Sequence, residues 1–125
     1  MVKGIGVDII EIDRIRSSID SLGERFLDKI FTGGEIAYCE AKMYPHQHYA
    51  ARFAVKEAVS KALATGWTGE FRWKDVEVMN DPSGRPRVEL SGRLHDRLAG
   101  AAIQVSISHS ESYVVAIALI EDAQS

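Results

Sequence analysis

The fold of this chain is decided by the stretch Arg52-Phe53-Ala54-Val55-Lys56-Glu57-Ala58-Val59-Ser60-Lys61-Ala62-Leu63. The stretch is rich in alanine, contains no proline or glycine, and spaces its apolar residues three and four apart, so it predicts a helix. Arg52, Lys56 and Ser60 are four residues apart and share one face of that helix. Glu57 lies on the neighbouring stripe. Cations that bind phosphate oxygens beside a carboxylate that binds Mg²⁺ are typical of a site for a phosphorylated ligand.

The same charges permit a simpler interpretation, in which this face of the helix is only solvated. Glu57 and Lys61 are four residues apart, in the order that favours an ion pair on a helix surface. The segment alone leaves both interpretations open, and the rest of the chain has to decide between them.

Size and composition indicate an ordinary globular protein. The chain has 125 residues, 46% of them hydrophobic and 26% charged, and we expect residues 1–125 to form a single domain. The net charge of -3 gives no general attraction to nucleic acid or to an anionic membrane. Cys39 is the only cysteine, which excludes intrachain disulfides and fits a reducing cytoplasm. The longest apolar run, residues 114–120, is too short to span a bilayer.

Sequence patterns along the chain predict the order of the secondary structure. The predicted elements are a buried strand over 2–10 that ends near Asp8, helices over 11–22 and 24–30 separated by Gly23, a helix from Thr32 to about 42, the long helix over 47–64 that stops at Thr65-Gly66, strands over 75–79 and 87–90 around a turn at 80–84, a helix from Ser91 to about 101, and strands over 104–108 and 113–120 around a turn at 109–112. This order predicts an α+β fold whose mainly antiparallel sheet packs against the long helix.

Asp8 is the first candidate functional residue outside the long helix. It follows a nearly all-apolar strand, where a carboxylate is costly unless it is exposed or paired. It could cap a helix that begins near Ile10, because aspartate is a favoured N-cap residue. It could also bind a metal if a second carboxylate, such as Glu57, lies close to it.

Two further segments carry polar groups at predicted turns. In residues 106–110, alternation places Ser106, Ser108 and Ser110 on one strand face, with His109 at the start of the turn. These groups could bind a phosphate or simply form a polar strand edge. Residues 80–86 have the composition of a hairpin turn, from which Arg85 could reach an anion.

Several motifs in the chain resemble those of one family. They are Gly4-Ile5-Gly6-Val7-Asp8-Ile9 with Arg14-Ile15, Phe31-Thr32 with Glu35, Arg52-Phe53-Ala54 with Lys56-Glu57-Ala58 and Lys61-Ala62, Asn80-Asp81 with Gly84-Arg85-Pro86, and Val105-Ser106-Ile107-Ser108-His109-Ser110 with Tyr113. In this order and over nearly the whole chain, they resemble holo-acyl-carrier-protein synthases, the short trimeric type of 4′-phosphopantetheinyl transferase.

The resemblance implies an activity and a metal. The activity is transfer of 4′-phosphopantetheine from coenzyme A to a serine of apo acyl carrier protein in fatty acid biosynthesis, which leaves adenosine 3′,5′-bisphosphate. Asp8 and Glu57 match the magnesium ligands of the family, which favours the metal role of Asp8 over the cap. Lys61 can then neutralise charge that builds on the phosphate oxygens. Either a metal-bound water or Glu57 could take the serine proton, and the water is preferred because a metal-bound carboxylate is a weak base.

The resemblance also implies where coenzyme A and the carrier bind. Residues expected near the phosphates are Arg52, Lys56, Ser60 and Gly66; those near the adenine are Asn80, Arg85 and Pro86; and those near the 3′-phosphate are Ser108, His109 and Ser110. The family forms its sites between adjacent subunits of a homotrimer. Arg14 matches the carrier-docking helix, where Arg16 and Arg25 could assist. Residues 42–49 are poorer in Lys and Arg than in many relatives, with His46 and His48 in their place.

Two other functions use the same residues. A Mg²⁺-dependent phosphohydrolase could employ the same two carboxylates with water in place of the carrier serine. A binding or assembly domain could retain the fold with a degenerate site, although the presence of Asp8, Glu57 and Lys61 argues for catalysis.

Overall fold

The computed structural model describes residues 1–64 and 71–122. Its elements in chain order are β1 (Val2–Glu11), α1 (Ile12–Leu22), α2 (Glu24–Ile30), α3 (Gly33–Glu40), α4 (Pro45–Leu63), a 3₁₀ turn (Trp73–Asp75), β2 (Val76–Asn80), β3 (Pro86–Leu90), α5 (Gly92–Arg97), β4 (Ala102–His109) and β5 (Tyr113–Glu121). Among these described residues, no helix has the length and apolar character needed to cross a membrane.

The strands within residues 1–64 and 71–122 form two antiparallel sheets. The larger sheet has the strand order β1-β5-β4, and the smaller sheet is the β2–β3 hairpin. The antiparallel pairing and the helices that cover one side of the larger sheet confirm the predicted α+β class.

Helix α4 lies across the inner face of the larger sheet and forms the centre of the core. Val55 and Val59 of α4 are fully buried. The inward residues of β5 alternate along the strand and are also buried; they are Val114, Ala116, Ala118 and Ile120. The small alanine side chains of α4 and β5 let the helix pack close to the larger sheet. Polar groups near the C-terminal half of α4 therefore also lie close to the sheet.

Two glycines let β1 approach α4 more closely than any other residue would allow. A Cβ atom on Gly6 would lie 2.0 Å from the carbonyl oxygen of Ala58 and 2.7 Å from the backbone nitrogen of Ala62. A Cβ atom on Gly4 would lie 2.1 Å from the carbonyl oxygen of Ala62. These clashes involve backbone atoms, so a side chain at either position would force the strand and the helix apart.

The prediction that the first strand is buried is wrong for one of its faces. Ile5, Val7 and Ile9 are between 55 and 63% exposed, because alternate residues of β1 point away from α4. The continuous apolar sequence of β1 therefore reflects one face against the core and a second apolar face on the surface of the chain.

Asp8 lies inside β1 and does not cap α1. The strand continues to Glu11, and Glu11 itself occupies the N-cap position of α1. The predicted cap required a helix start near Ile10, but pairing with β5 extends the strand through that position.

The other boundaries follow local sequence rules with small shifts. Gly23 separates α1 from α2 with a φ of 58°, and the predicted capping box of Thr32 and Glu35 starts α3. Helix α4 begins at Pro45, which suits the first position of a helix. Helix α5 ends at Arg97 rather than near residue 101, because the chain turns through Gly100 at a φ of 84°. The predicted stop at Thr65-Gly66 lies outside the described residues.

We predict that Gly6→Ala lowers the free energy of unfolding by about 1–3 kcal/mol or more, the usual cost of overpacking a core. Denaturant unfolding monitored by circular dichroism measures this change. Gly33→Ala is the matched control, since a Cβ atom at Gly33 meets nothing within 4 Å. Equal stability of the two variants would contradict the close approach of β1 and α4.

Candidate active site

Lys61 of α4 forms an ion pair with Asp8 of β1. Its Nζ atom donates to Oδ1 of Asp8 at 3.0 Å and to the carbonyl oxygen of Val7 at 3.2 Å. Asp8 is largely covered, with 11% of its side chain exposed, whereas Lys61 remains half-exposed. Lys61 therefore links α4 to β1 at an open edge, instead of pairing with Glu57 on a solvated helix face.

The second carboxylate oxygen of Asp8 fits a metal ligand. Oδ2 of Asp8 is buried and has no hydrogen-bond partner among the described residues. A buried carboxylate oxygen without a donor is costly and commonly indicates a bound ion or water.

Glu57 supplies a second carboxylate at the same place. Burial raises the pKa of Glu57, the negative charge of Asp8 raises it further, and Lys61 and Arg14 oppose this shift. Two carboxylates whose charges repel each other fit a hard divalent cation such as Mg²⁺, which neutralises both. The described residues contain no group of three or more His, Cys, Asp and Glu that could hold a metal, so water or substrate oxygens would complete the coordination.

A cavity of about 260 Å³ opens beside the two carboxylates. Its lining consists of Asp8, Ile9, Ile10, Arg14, Ile15, Ser18, Phe26, Phe53 and Glu57. Helix α1 forms one wall, so a molecule bound against α1 could reach the carboxylates directly.

Lys56 has a structural role. It neither faces solvent nor remains free to bind a phosphate, contrary to both interpretations of the helix surface. It is fully buried, and its Nζ atom donates to Oε1 of Glu35 at 2.9 Å, to the carbonyl oxygen of Trp73 at 3.0 Å and to the carbonyl oxygen of Val76. Burial lowers the pKa of Lys56, and the adjacent Glu35 carboxylate opposes this shift. An ammonium group has three donors, so this geometry leaves none for a phosphate.

Glu35 has a role that its sequence motif reveals only in part. Besides completing the capping box, it accepts the backbone N–H of Val78 at Oε2, with an N···O distance of 2.8 Å. Glu35 and Lys56 therefore bond the edge of β2 that faces away from β3. One sequence feature could have predicted this pair: Lys56 lies in the middle of a helix with apolar residues on most sides. A lysine in such a place is buried, and a buried lysine requires a partner.

Arg52 is also buried and also contacts the β2–β3 hairpin. It is 3% exposed, and its Nη2 atom donates to Oδ1 of Asn80 at 2.9 Å. Asn80 in turn donates from Nδ2 to the carbonyl oxygen of Gly84 at 3.0 Å. Arg52 and Lys56 thus fasten the hairpin to α4, and neither side chain is solvated.

The predicted residues on β4 lie apart from Asp8 within one chain. Ser108 pairs across the sheet with Val115, which pairs with Ile9, and these three residues share the outer face. Asp8 belongs to the adjacent row with Ala116, on the inner face. A single chain therefore does not bring Ser108 and Asp8 into one site.

His109 and Ser110 lie at the end of β4. The amide nitrogen of Gln47, near the start of α4, is 3.1 Å from Nδ1 of His109. Gln47 and Glu57 are ten residues apart, or about 15 Å along a helix. Ser110 lies in the turn, where its Oγ atom accepts the backbone N–H of Tyr113. These residues are therefore also distant from the carboxylate pair of their own chain.

The remaining predicted residues that the structure describes are at least partly accessible. Arg85 and Pro86 line a cavity of about 460 Å³ that they share with residues of β4 and β5, including Ser106. Ser60 is half-buried on α4, and Gly66 lies outside the described residues.

The three arginines predicted to dock a carrier differ in their surroundings. Arg14 and Arg25 are exposed, and no ion-pair partner is found for them within residues 1–64 and 71–122. Arg16 forms an exposed ion pair with Asp13 at 3.3 Å. Only Arg14 of the three lines the cavity beside the carboxylates.

Comparison with known proteins decides the family. A model of the 4′-phosphopantetheinyl transferase superfamily matches residues 4–118. The chain belongs to this superfamily.

Several members of the superfamily are similar to this chain over nearly its whole length. The holo-[acyl-carrier-protein] synthase of Koribacter versatilis is 43% identical over 98% of this chain and 100% of its own length. That of Chlamydia trachomatis serovar D is 48% identical over 94% of this chain and 98% of its own length. The crystal structure of a holo-(acyl-carrier-protein) synthase from Bacillus anthracis in complex with CoA (3′,5′-ADP) has a TM-score of 0.82 and 35% identity, covering 98% of this chain and 99% of that one.

We predict that Glu57→Gln raises the melting temperature at neutral pH in the presence of EDTA. The raised pKa means that ionised Glu57 destabilises the folded state above that pKa. This cost is absent below pH 4.5, the pKa of an unperturbed glutamate. The gain in melting temperature should therefore vanish as the pH falls from the raised pKa of the folded state to 4.5.

Thermal unfolding at several pH values measures the gain, and Glu111→Gln in an exposed turn is the control. Added Mg²⁺ should stabilise the wild type more than Glu57→Gln. A variant that is less stable than the wild type in EDTA would contradict the repulsion between the two carboxylates.

Proposed function

We propose that this protein is a holo-acyl-carrier-protein synthase. It transfers 4′-phosphopantetheine from coenzyme A to a serine hydroxyl of apo acyl carrier protein and releases adenosine 3′,5′-bisphosphate. Support comes from its superfamily, from the names of its relatives and from the ligand of the Bacillus anthracis structure. The observation that carries the proposal is the buried, unpartnered Oδ2 of Asp8 beside Glu57 and Lys61.

In this proposal Asp8 and Glu57 are the residues that would hold Mg²⁺. The bound ion would supply positive charge to the pyrophosphate. Lys61 uses two of its three donors on Asp8 and Val7, which leaves one for a phosphate oxygen.

The reaction forms a bond between the serine oxygen and the β-phosphorus and breaks the phosphoanhydride bond. The serine proton passes to a base at the site, and the leaving nucleotide takes the bonding electron pair. Lys61 would stabilise the negative charge that grows on this nucleotide.

Coenzyme A is proposed to extend from the carboxylates of one chain toward the hairpin and the end of β4 of an adjacent chain. Ser60 and Gly66 would lie near the phosphates, Arg85 and Pro86 near the adenine, and Ser108, His109 and Ser110 near the 3′-phosphate. Lys56 and Asn80 would act by holding the hairpin in place, because their polar groups bond within the chain. Arg52 would also hold the hairpin through Asn80, and its buried Nε atom, which has no hydrogen-bond partner among the described residues, would leave part of the guanidinium available to a phosphate.

A homotrimer with its sites between subunits is part of the proposal. The outer face of the larger sheet exposes Ile5, Val7, Ile9, Val115 and Ile117. Contiguous apolar surface of this kind commonly marks a protein interface. Ser108 lies on this same face, opposite to Asp8, so a site that contains both residues requires two chains.

We predict that mixing two inactive variants restores activity if the site is shared in this way. Asp8→Asn and His109→Ala should each lower transfer strongly. After joint refolding, sites that combine an intact Asp8 from one chain with an intact His109 from another should be active. A mixture that remains inactive, although the chains assemble together, would contradict a site shared between subunits.

The carrier is proposed to dock on α1. Arg14 lies on the wall of the cavity beside the carboxylates, and Arg25 is a second exposed cation nearby in sequence. Arg16 would contribute less, because Asp13 pairs with it. We place the reaction in the cytoplasm, where the free thiol of Cys39 would remain reduced.

The proposed function predicts a phosphopantetheine-sized gain in the intact mass of an apo acyl carrier protein after incubation with this protein, coenzyme A and Mg²⁺. EDTA should prevent the gain, and Asp8→Asn should abolish it. Arg14→Ala should slow it at low carrier concentration and less at saturation.

Release of adenosine 3′,5′-bisphosphate without any carrier would favour a phosphohydrolase. Binding of coenzyme A with neither reaction would favour a binding domain.

A further inference from the structure

The ring of Tyr38 lies where several basic side chains meet. Tyr38 is half-buried on α3. The guanidinium carbon of Arg52 lies 4.0 Å from the ring centroid, and Nζ of Lys42 lies 4.5 Å from it. The ring of His48 approaches edge-on, with 5.8 Å between centroids. One aromatic side chain therefore contacts basic groups from α4 and from the segment between α3 and α4.

The charges around this ring are crowded. The pKa of His48 is lowered first by burial and then by the positive charges of Arg52, Lys42 and His109. Arg52 lies behind the surface and is fixed by Asn80, whereas Lys42 and His109 are exposed. A cluster of like charges in partly buried surroundings is unfavourable alone and favourable toward an anion.

Lys42 contacts the ring of Tyr38 from an exposed position. It follows the end of α3 and is exposed, so its flexible side chain would otherwise extend into solvent. Contact with an aromatic face holds a cation in place and lowers the entropy lost when it binds a ligand. The same ring packs against the guanidinium of Arg52, which also donates to Asn80.

We propose that Tyr38 is a positioning residue for the 3′-phosphate of coenzyme A. Its ring holds Lys42 and Arg52 so that their charge acts together with His109 at the end of β4. This inference rests on the proposed function and adds to it a residue that does not itself touch the substrate. The ligand group is a phosphomonoester dianion, which coenzyme A carries and dephospho-coenzyme A lacks.

Calorimetric binding of coenzyme A and dephospho-coenzyme A to the wild type, Tyr38→Leu and Tyr38→Phe tests the proposal. Tyr38→Leu should weaken coenzyme A binding by roughly 3- to 30-fold, the range expected for loss of cation–π contacts. It should leave dephospho-coenzyme A binding unchanged. Tyr38→Phe keeps the ring and should restore the affinity for coenzyme A. Equal weakening for both ligands, equal effects of Leu and Phe, or no weakening would overturn the proposal.

Lys42→Gln provides a second test at an exposed position that does not disturb the core. It should weaken binding of coenzyme A but not of dephospho-coenzyme A. Its effect should be smaller in the Tyr38→Leu background, because the two residues act through one contact. Equal binding of coenzyme A by Lys42→Gln and the wild type would overturn the role of Lys42.

These binding measurements separate the inference from the proposed function. They need no carrier protein, so the expected pattern without any transfer would overturn the transferase proposal alone. A wild-type protein that does not bind coenzyme A would overturn both.

Discussion

The structure depends on the close contact between β1 and α4. Gly4 and Gly6 bring the strand backbone against the carbonyl groups of Ala58 and Ala62. The next inward residue of β1 is Asp8, and Lys61 lies between Ala58 and Ala62 on α4, from where its long side chain reaches Asp8. A catalytic pair of carboxylates has to be held to within a fraction of an ångström. Direct packing of one backbone on another provides that precision.

A second set of charges supports the site from the opposite side of α4. Lys56 and Glu35 bond the edge of β2, and Arg52 bonds Asn80 near the hairpin turn. A two-stranded hairpin is only marginally stable alone, so these buried contacts fix its position relative to α4. Lys56 is therefore a support, Arg52 supports the hairpin and also places its charge beside the ring of Tyr38, and Lys61 faces the open site.

Local patterns allowed the sequence to predict much of the fold. Helical spacing defined α4, the capping box defined the start of α3, and alternation defined the faces of β4. Burial of Arg52 and Lys56 was not predictable in this way, because it depends on the hairpin that folds over them from later in the chain. Alternation also assigned Ser108 to a strand face but could not relate that face to Asp8, since strand pairing determines this relation.

We propose that Asp8 and Glu57 form one metal site on the inner side of β1. The most direct test is a crystal structure of the protein grown with coenzyme A and Mn²⁺, whose anomalous scattering locates the ion and whose ligand preferences overlap those of Mg²⁺. We expect one anomalous peak within coordination distance of Oδ2 of Asp8 and of the Glu57 carboxylate. A peak bound elsewhere, with Oδ2 of Asp8 away from the ion, would contradict the claim.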